Sequence, residues 1–246
     1  MSKQSLFNQK AAYRKYWMMV SALIVVVIVG VPVWVAVHEW RAASILNGRI
    51  EAIKSEGLPT DNSSLADWFK SNSHTEGTVV WEEVIRASKE VPQFTSANLP
   101  IVGDGRLPPN FRPDTPWPEA DSIKKYLDTV NPILQKMDQA SSLPPPVWIP
   151  IEFRGVDTVI DQPKQMVAVV RILQLDGLLG LYQRDTKRAL LDIQRIGETT
   201  ESFDWNFCMV AQMVSISLRS FQTSLIQQSL NMDLWNEDEL ARLQTT

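Results

Sequence analysis

The chain has 246 residues, with 24 basic and 28 acidic side chains, two histidines and one cysteine. Its content of 44% hydrophobic and 21% charged residues is ordinary for a folded protein, which excludes disorder throughout. One cysteine excludes an internal disulfide framework, and together with two histidines it excludes a Cys/His zinc cluster. The net charge of −4 argues against a nucleic-acid-binding surface.

Residues 16–37 carry the strongest signal in the sequence, because none of their side chains is charged. At about 1.5 Å per residue, a helix of this length spans roughly 33 Å, which is enough for the hydrocarbon core of a bilayer. Aromatic side chains that suit the two membrane interfaces flank the segment, namely Tyr13, Tyr16, Trp17, Trp34 and Trp40. The sequence therefore predicts a transmembrane helix at 16–37.

The charges on either side of this segment predict its orientation. Four basic residues and no acidic residue precede it, namely Lys3, Lys10, Arg14 and Lys15. By the positive-inside rule, residues 1–15 form a cytoplasmic tail and the rest is exported. We expect a single-pass protein of the bacterial inner membrane with a periplasmic C-terminal domain.

A cleaved signal peptide is the alternative interpretation of the same segment. The apolar core of a signal peptide is only about 7–15 residues long and lies directly before its cleavage site. The run here is longer, and the candidate site at Ala42-Ala43-Ser44 lies beyond a patch that contains His38, Glu39 and Arg41. The pattern therefore favours an uncleaved signal anchor.

The residues after the membrane segment predict a helical stalk and then an exported domain. Apolar residues recur at near-helical spacing over 38–56, and Gly57-Leu58-Pro59 predicts the end of that helix. Residues 57–246 form the predicted α-helical domain. Two short helices are expected at its start, one capped by Asn62 or Ser63 and one near 78–88.

Proline-rich segments interrupt the middle of the domain. Residues 92–118 contain seven prolines, and their apolar residues favour an ordered wrapping loop over a disordered one. A helix should follow from Pro118, and Pro132 should kink or split it. Residues 143–153 should be extended, with a short strand possible around Val147 to Ile151.

The last third of the chain predicts a C-terminal helical hairpin followed by further helices. A helix at about 163–183 ends in a tight turn, and Asp185 can cap the next helix. Arg171 and Asp176 argue against a second membrane span in the first of these helices. A third helix should pack through an apolar stripe formed by Phe207, Val210, Val214, Leu218, Phe221 and Leu225. The fold class is therefore all-α.

The end of the chain has the pattern of a helix start. Asn236 and Glu239 have the spacing of a capping box, and Leu240 and Leu243 begin an apolar stripe. A helix this short is marginal unless it docks on the domain. One hypothesis is that the chain is part of a longer protein.

The overall pattern resembles a set of uncharacterised single-pass membrane proteins that are abundant in planctomycetes. The resemblance lies in Gly57-Leu58-Pro59, residues 62–68, the hairpin over 175–190 and the terminal residues 238–244. It implies a membrane anchor and a helical exported domain, and it implies no activity.

Candidate chemical groups are few, and each has a simpler structural interpretation. His38 and Glu39 suit a polar membrane interface, and His74 lies in a polar run typical of a solvated loop. Cys208 is expected to be a buried structural thiol. The basic residues Arg184, Lys187 and Arg188 suggest a solvated turn.

A carboxylate site is the one catalytic alternative that the sequence offers. Glu152, Asp157 and Asp161 lie near Arg154, and paired carboxylates can perform acid-base catalysis. Asp161 is more simply the N-cap of the helix that starts near Pro163. We therefore predict no catalytic, cofactor-binding or metal-binding residues.

Tryptophan is the only residue type with an unusual count, since there are nine. Indole rings fill cores, and they also dominate protein interfaces. The candidate interaction surface consists of the six tryptophans outside the membrane flanks: Trp68, Trp81, Trp117, Trp148, Trp205 and Trp235.

These observations predict a membrane-anchored, non-catalytic scaffold or subunit of a cell-envelope assembly. Its partners would be the lipid bilayer and a protein partner or further copies of itself, with no cofactor and no nucleic acid. The alternative is a membrane-anchored sensor or small-ligand-binding module, and a hydrolase-type enzyme is third.

Overall fold

The computed structural model describes residues 3–90, 98–205 and 209–244, with the side chains of residues 3–17, 19–29 and 156 left out. Over these ranges the chain is all-helical, as predicted, with one short 3₁₀-helix at Gly155–Asp157 and no strand. The α-helices are α1 (Lys3–Ser55), α2 (Asn62–Ser71), α3 (Thr78–Glu90), α4 (Ala120–Ser141), α5 (Gln162–Tyr182), α6 (Thr186–Ser202), α7 (Met209–Leu230) and α8 (Glu237–Leu243).

The chain divides into two compact units, Met1–Asp61 and Asn62–Thr246. In the first unit, α1 runs without a break through the predicted tail, membrane segment and stalk, and Pro32 lies inside it. Most side chains of the predicted membrane segment lie outside the described part of the structure.

The predicted end of the stalk helix is confirmed. Gly57 has a φ of 75°, a left-handed conformation that glycine adopts without the steric cost of a Cβ. The N–H of Gly57 donates to the carbonyl of Lys54 at 3.0 Å, and that of Leu58 donates to the carbonyl of Ile53 at 3.2 Å. These bonds form a Schellman motif, so α1 ends at Ser55 by a local mechanism.

Helix α5 is the centre of the second unit. Fifteen of its 21 residues are buried, because α3, α4, α6 and α7 all pack around it. A helix with apolar residues on every side needs such an environment, or a membrane. Among the helices whose side chains are all described, α5 is the one that is long and apolar enough to cross a membrane, and 78% of its most apolar window is buried inside the protein.

A three-residue turn, 183–185, joins α5 to α6, and the Asp185 side chain caps α6 by accepting from the Arg188 N–H at 3.1 Å. A Cβ built on Gly177 would lie 3.5 Å from the Cβ of Asp192, and one built on Gly180 would lie 3.2 Å from that of Arg188. The residue number rises along α5 from Gly177 to Gly180 while that of the facing residue on α6 falls from Asp192 to Arg188. The two helices are therefore antiparallel.

Three sequence expectations differ in part from the structure. Of the two alternatives for Pro132, the split is excluded, because α4 is a single helix with Pro132 on its exposed side, where water can solvate the freed carbonyl. Asp161 stands at the N-cap of α5 but makes no capping hydrogen bond, because its φ of −82° and ψ of −26° are already helical. Residues 147–151 are extended, but Val147 forms only an isolated bridge, with His74.

The proline-rich loop is described from residue 98 onward, and its earlier part, including Phe94, lies outside the described residues. Leu99 and Trp117 are buried, while Ile101, Val102 and Phe111 pack partly against the core. The described part of the loop therefore contacts the core through these side chains.

Helix α7 packs through most of the predicted stripe. Leu218 and Leu225 are fully buried and Val214 and Phe221 pack partly against the core, but Val210 is 56% exposed. Small side chains complete the buried side of the helix. Phe207 lies outside the described residues.

Helix α8 has the predicted capping box, and it also docks. The side chain of Asn236 accepts from the N–H of Glu239 at 2.9 Å, and that of Glu239 accepts from the N–H of Asn236 at 3.2 Å. The second oxygen of Glu239 accepts from the hydroxyl of Thr186 at 2.7 Å, in the first turn of α6. This bond attaches a helix of seven residues to the domain.

Candidate functional site

Three of the six candidate tryptophans belong to the core and cannot form a surface. Trp81 is fully buried, and Trp117 and Trp205 are almost fully buried. Trp205 donates from Nε1 to the carbonyl of Val147 at 3.2 Å, which attaches the extended segment to the end of α6. Trp117 contacts Tyr182 with ring centroids 5.4 Å apart and so attaches the proline-rich loop to α5.

The other three candidates, Trp68, Trp148 and Trp235, are partly exposed. The Lys70 ammonium lies 5.4 Å from the ring centroid of Trp148, a cation–π distance. The carbonyl of Trp148 accepts from the hydroxyl of Thr78 at 2.7 Å. Trp148 thus has internal partners that account for its position.

A cluster of buried charges joins α4, α5 and α6. Asp192 is fully buried, and its Oδ1 accepts from Nη1 of Arg195 at 2.7 Å. Arg195 also pairs with Asp138. On the neighbouring turn, Nε of Arg188 donates to the almost fully buried Asp176 at 3.0 Å. Arg188 was expected in a solvated turn, but its side chain pairs inward with Asp176.

The cluster contains one carboxyl group whose pKa is raised. Burial raises the pKa of Asp192 well above its usual value, and the negative charge of Asp176 raises it further, while Arg195 acts in the opposite direction. Oδ2 of Asp192 has no donor in the described part of the chain. A proton on this carboxyl group can be donated to Asp176, and the cluster then has two cations and two anions. Such a proton-sharing pair is a candidate functional feature, although ion-pair networks of purely structural role also shift pKa values.

The exposed side of α7 carries four of the large exposed apolar residues of the second unit. Met209, Val210, Met213 and Ile216 lie on successive turns and are between 56% and 77% exposed. Arg219 is the one charged residue in the 22 residues of the helix. We call these four residues the α7 face. Exposed apolar patches of this kind mark interaction sites, and methionine suits them because its side chain adapts to a partner.

A cleft of about 480 Å³ lies between the proline-rich loop and the end of α7. Its apolar wall consists of Leu107, Pro108, Phe111 and Met232. Its polar groups are Asn110, Arg112, Gln228 and Asn231. The volume falls within the range of about 300–1,000 Å³ that is typical of small-ligand sites. We call this the loop–α7 cleft, and no sequence motif had indicated it.

The remaining sequence candidates are dispersed. His38 contacts the ring of Trp34 within α1, and exposed His74 makes backbone bonds to Pro146 and Trp148. Glu152 forms an exposed ion pair with Arg154 at 2.7 Å. Within the described ranges, no group of three or more His, Cys, Asp or Glu residues could hold a metal ion. Cys208 lies outside them.

Comparison of this chain with protein-family models, with curated proteins and with solved structures finds no significant match.

Proposed function

We propose that this chain is a membrane-anchored, non-catalytic scaffold subunit whose exported domain associates with further copies of itself through the α7 face. The observation that carries the proposal is that face, a four-residue apolar surface on a helix with one charged residue. Burial of such side chains stabilises an interface by about 25 cal/mol per Å² of apolar area.

Charge favours a second copy over the bilayer as the occupant of this face. Residues 62–246 contain 17 basic and 24 acidic side chains, so the domain is repelled by anionic lipid. Helices that lie on membranes usually have several basic residues on their polar side, and α7 has only Arg219. Because the α7 face itself is uncharged, two copies can approach there with little local repulsion.

The membrane part of the proposal rests on residues 16–37 and on the four basic residues before them. We propose a signal anchor in the bacterial inner membrane, with the N-terminus in the cytoplasm and the domain in the periplasm. Protease added outside spheroplasts should digest residues 62–246 and leave the tail protected. Digestion only after lysis would contradict this orientation.

Self-association is tested on the full chain in a mild detergent by light scattering or native mass spectrometry. The wild-type chain should give a discrete oligomer. The double substitution Met213→Glu with Ile216→Glu should weaken association by 100-fold or more, since two charges would be buried without partners.

The matched control is Val79→Glu on α3, because Val79 is an isolated exposed apolar residue, 66% exposed. This variant should keep the wild-type mass, and both variants should keep the wild-type helical content. A monomeric wild-type chain would contradict self-association, and an oligomer that survives both glutamates would exclude the α7 face.

A second candidate function is a small-ligand-binding module, and the loop–α7 cleft is the observation that favours it. The cleft combines an apolar wall with several polar groups, as ligand sites do. This function is compatible with self-association, since the cleft adjoins the last turn of α7 whereas the α7 face lies on its first two turns.

A further inference from the structure

The polar groups of the loop–α7 cleft have a consistent chemical character. One guanidinium group and three carboxamide side chains line it, and no acidic side chain does. This composition is unusual in a domain where acidic residues outnumber basic ones by 24 to 17. The cleft is therefore a locally positive site on an acidic domain.

Arg112 is available to a ligand. It is exposed, and no carboxylate of the described residues lies within ion-pair distance of it. Asp114, two residues along the chain, is already paired with Arg184 at 2.7 Å. The guanidinium group of Arg112 is therefore free to pair with an anion in the cleft, because Asp114 pairs with Arg184 instead.

The wall and the polar groups together favour a carboxylate over a phosphate. A guanidinium group binds a carboxylate through two parallel hydrogen bonds. Phosphate sites usually add further cations or a row of backbone N–H groups, and the cleft has a single cation. Phe111 and Met232 offer apolar contact beside the charge, which suits an anion that carries an apolar group.

We propose that the loop–α7 cleft binds a small organic carboxylate with an apolar substituent, held by Arg112 and by the amides of Asn110 and Asn231. This inference rests on the second candidate function and is independent of self-association. Free carboxylates and the carboxyl terminus of a peptide share this chemistry, so the test includes both.

The probe is N-acetyl-L-leucine, titrated by calorimetry into the full chain in detergent micelles. Its neutral analogue, N-acetyl-L-leucinamide, keeps the shape and lacks the charge. The acid should bind saturably and at least ten-fold more tightly than the amide.

An acetylated tripeptide ending in leucine forms the second arm. If the tripeptide binds more tightly than the acid, the source is a peptide terminus, and if it binds more weakly, the source is a free carboxylate.

Two variants test the residue assignment. Arg112→Gln should weaken binding of the acid at least ten-fold, because a charge-assisted pair contributes about 1.5–3 kcal/mol and 1.4 kcal/mol is ten-fold. The matched control, Arg106→Gln, changes an exposed arginine of the same loop that does not line the cleft, and it should change affinity less than two-fold.

Three outcomes would overturn the proposal. The first is equal affinity for the acid and the amide, and the second is an equal loss of affinity in Arg112→Gln and Arg106→Gln. The third is that neither the acid nor the tripeptide binds saturably at about 10 mM, which is ten times a Kd of 1 mM. Because the oligomer mass is measured separately, failure here leaves the self-association result unaffected.

Discussion

At the scale of single residues, the most consequential feature is the buried carboxyl group of Asp192, whose pKa is raised by burial and by the charge of Asp176. From the sequence alone, Asp176 argues only against a second membrane span. An acidic residue in an otherwise apolar helix needs a partner when it is buried, so Asp176 was itself a signal of an inward-facing basic residue. The partner of Asp176 is Arg188, and the antiparallel packing of α5 and α6 brings the two side chains together. Sequence spacing alone does not give the distance between them.

The raised pKa of Asp192 makes stability depend on pH. The folded state binds a proton that the unfolded state releases above its own pKa of about 3.9. This contribution is therefore complete below that value and is lost as pH rises through the folded-state pKa.

Asp192→Asn should reduce that loss, because the amide is neutral and keeps both an acceptor for Arg195 and a donor for Asp176. At pH 8 we expect the free energy of unfolding to rise by roughly 1 kcal/mol, with a smaller change at pH 4. Urea unfolding at several pH values measures this. Asp67→Asn, at an exposed position, is the control, and a variant less stable than wild type at pH 8 would contradict the assignment.

At the scale of elements, helix positions and ends were predictable because they depend on local chemistry. The helices predicted at about 163–183 and after Asp185 correspond to α5 and α6, and Gly57, Asp185 and Asn236 act at the predicted ends. Most of the α7 stripe was predictable, since Leu218 and Leu225 are fully buried, but Val210 is exposed because the buried side is displaced toward Ala211 and Ser215. Periodicity identifies the large buried residues and misses the small ones, so the exposed α7 face was not predictable.

Gly177 shows how closely α5, α6 and α7 approach. A Cβ at this position would lie 2.8 Å from Cδ2 of Leu225, which is fully buried. Gly177→Ala should lower the free energy of unfolding by about 1–2 kcal/mol, because overpacking outweighs the gain in helix propensity.

A double-mutant cycle tests this cause. Leu225→Ala alone should cost about 2–5 kcal/mol. In that background Gly177→Ala should become neutral or stabilising, because the clashing methyl group is gone. If the effects of the two substitutions on the free energy of unfolding are additive, the contact with Leu225 is not the cause of the destabilisation by Gly177→Ala. Denaturant unfolding of the four proteins completes the cycle.

At the scale of the whole molecule, the all-α class followed from sequence, whereas the loop–α7 cleft did not. The cleft combines residues 107–112 with residues 228–232, which are brought together only by the path of the loop. The tryptophans were informative in number and ambiguous in role, since three of the six lie in the core.

The compact unit Asn62–Thr246 should fold without residues 1–61. It contains the whole buried core cluster, so removal of α1 leaves that core intact. We expect residues 62–246 expressed alone to be helical and to unfold in one cooperative transition, with the blue-shifted fluorescence of buried indoles. Circular dichroism and tryptophan emission measure both. A broad transition with strong binding of a hydrophobic dye would contradict this expectation.

Because α7 has only one charged residue, an interface formed through it would consist of apolar contacts and not of ion pairs. This difference determines how association would respond to salt and temperature. Contacts made by ion pairs weaken as salt is added, whereas contacts between apolar side chains do not. Added salt would instead screen the repulsion between two acidic domains, so an oligomer formed through the α7 face should become tighter at high ionic strength. Cooling should loosen it, because the hydrophobic contribution weakens at low temperature.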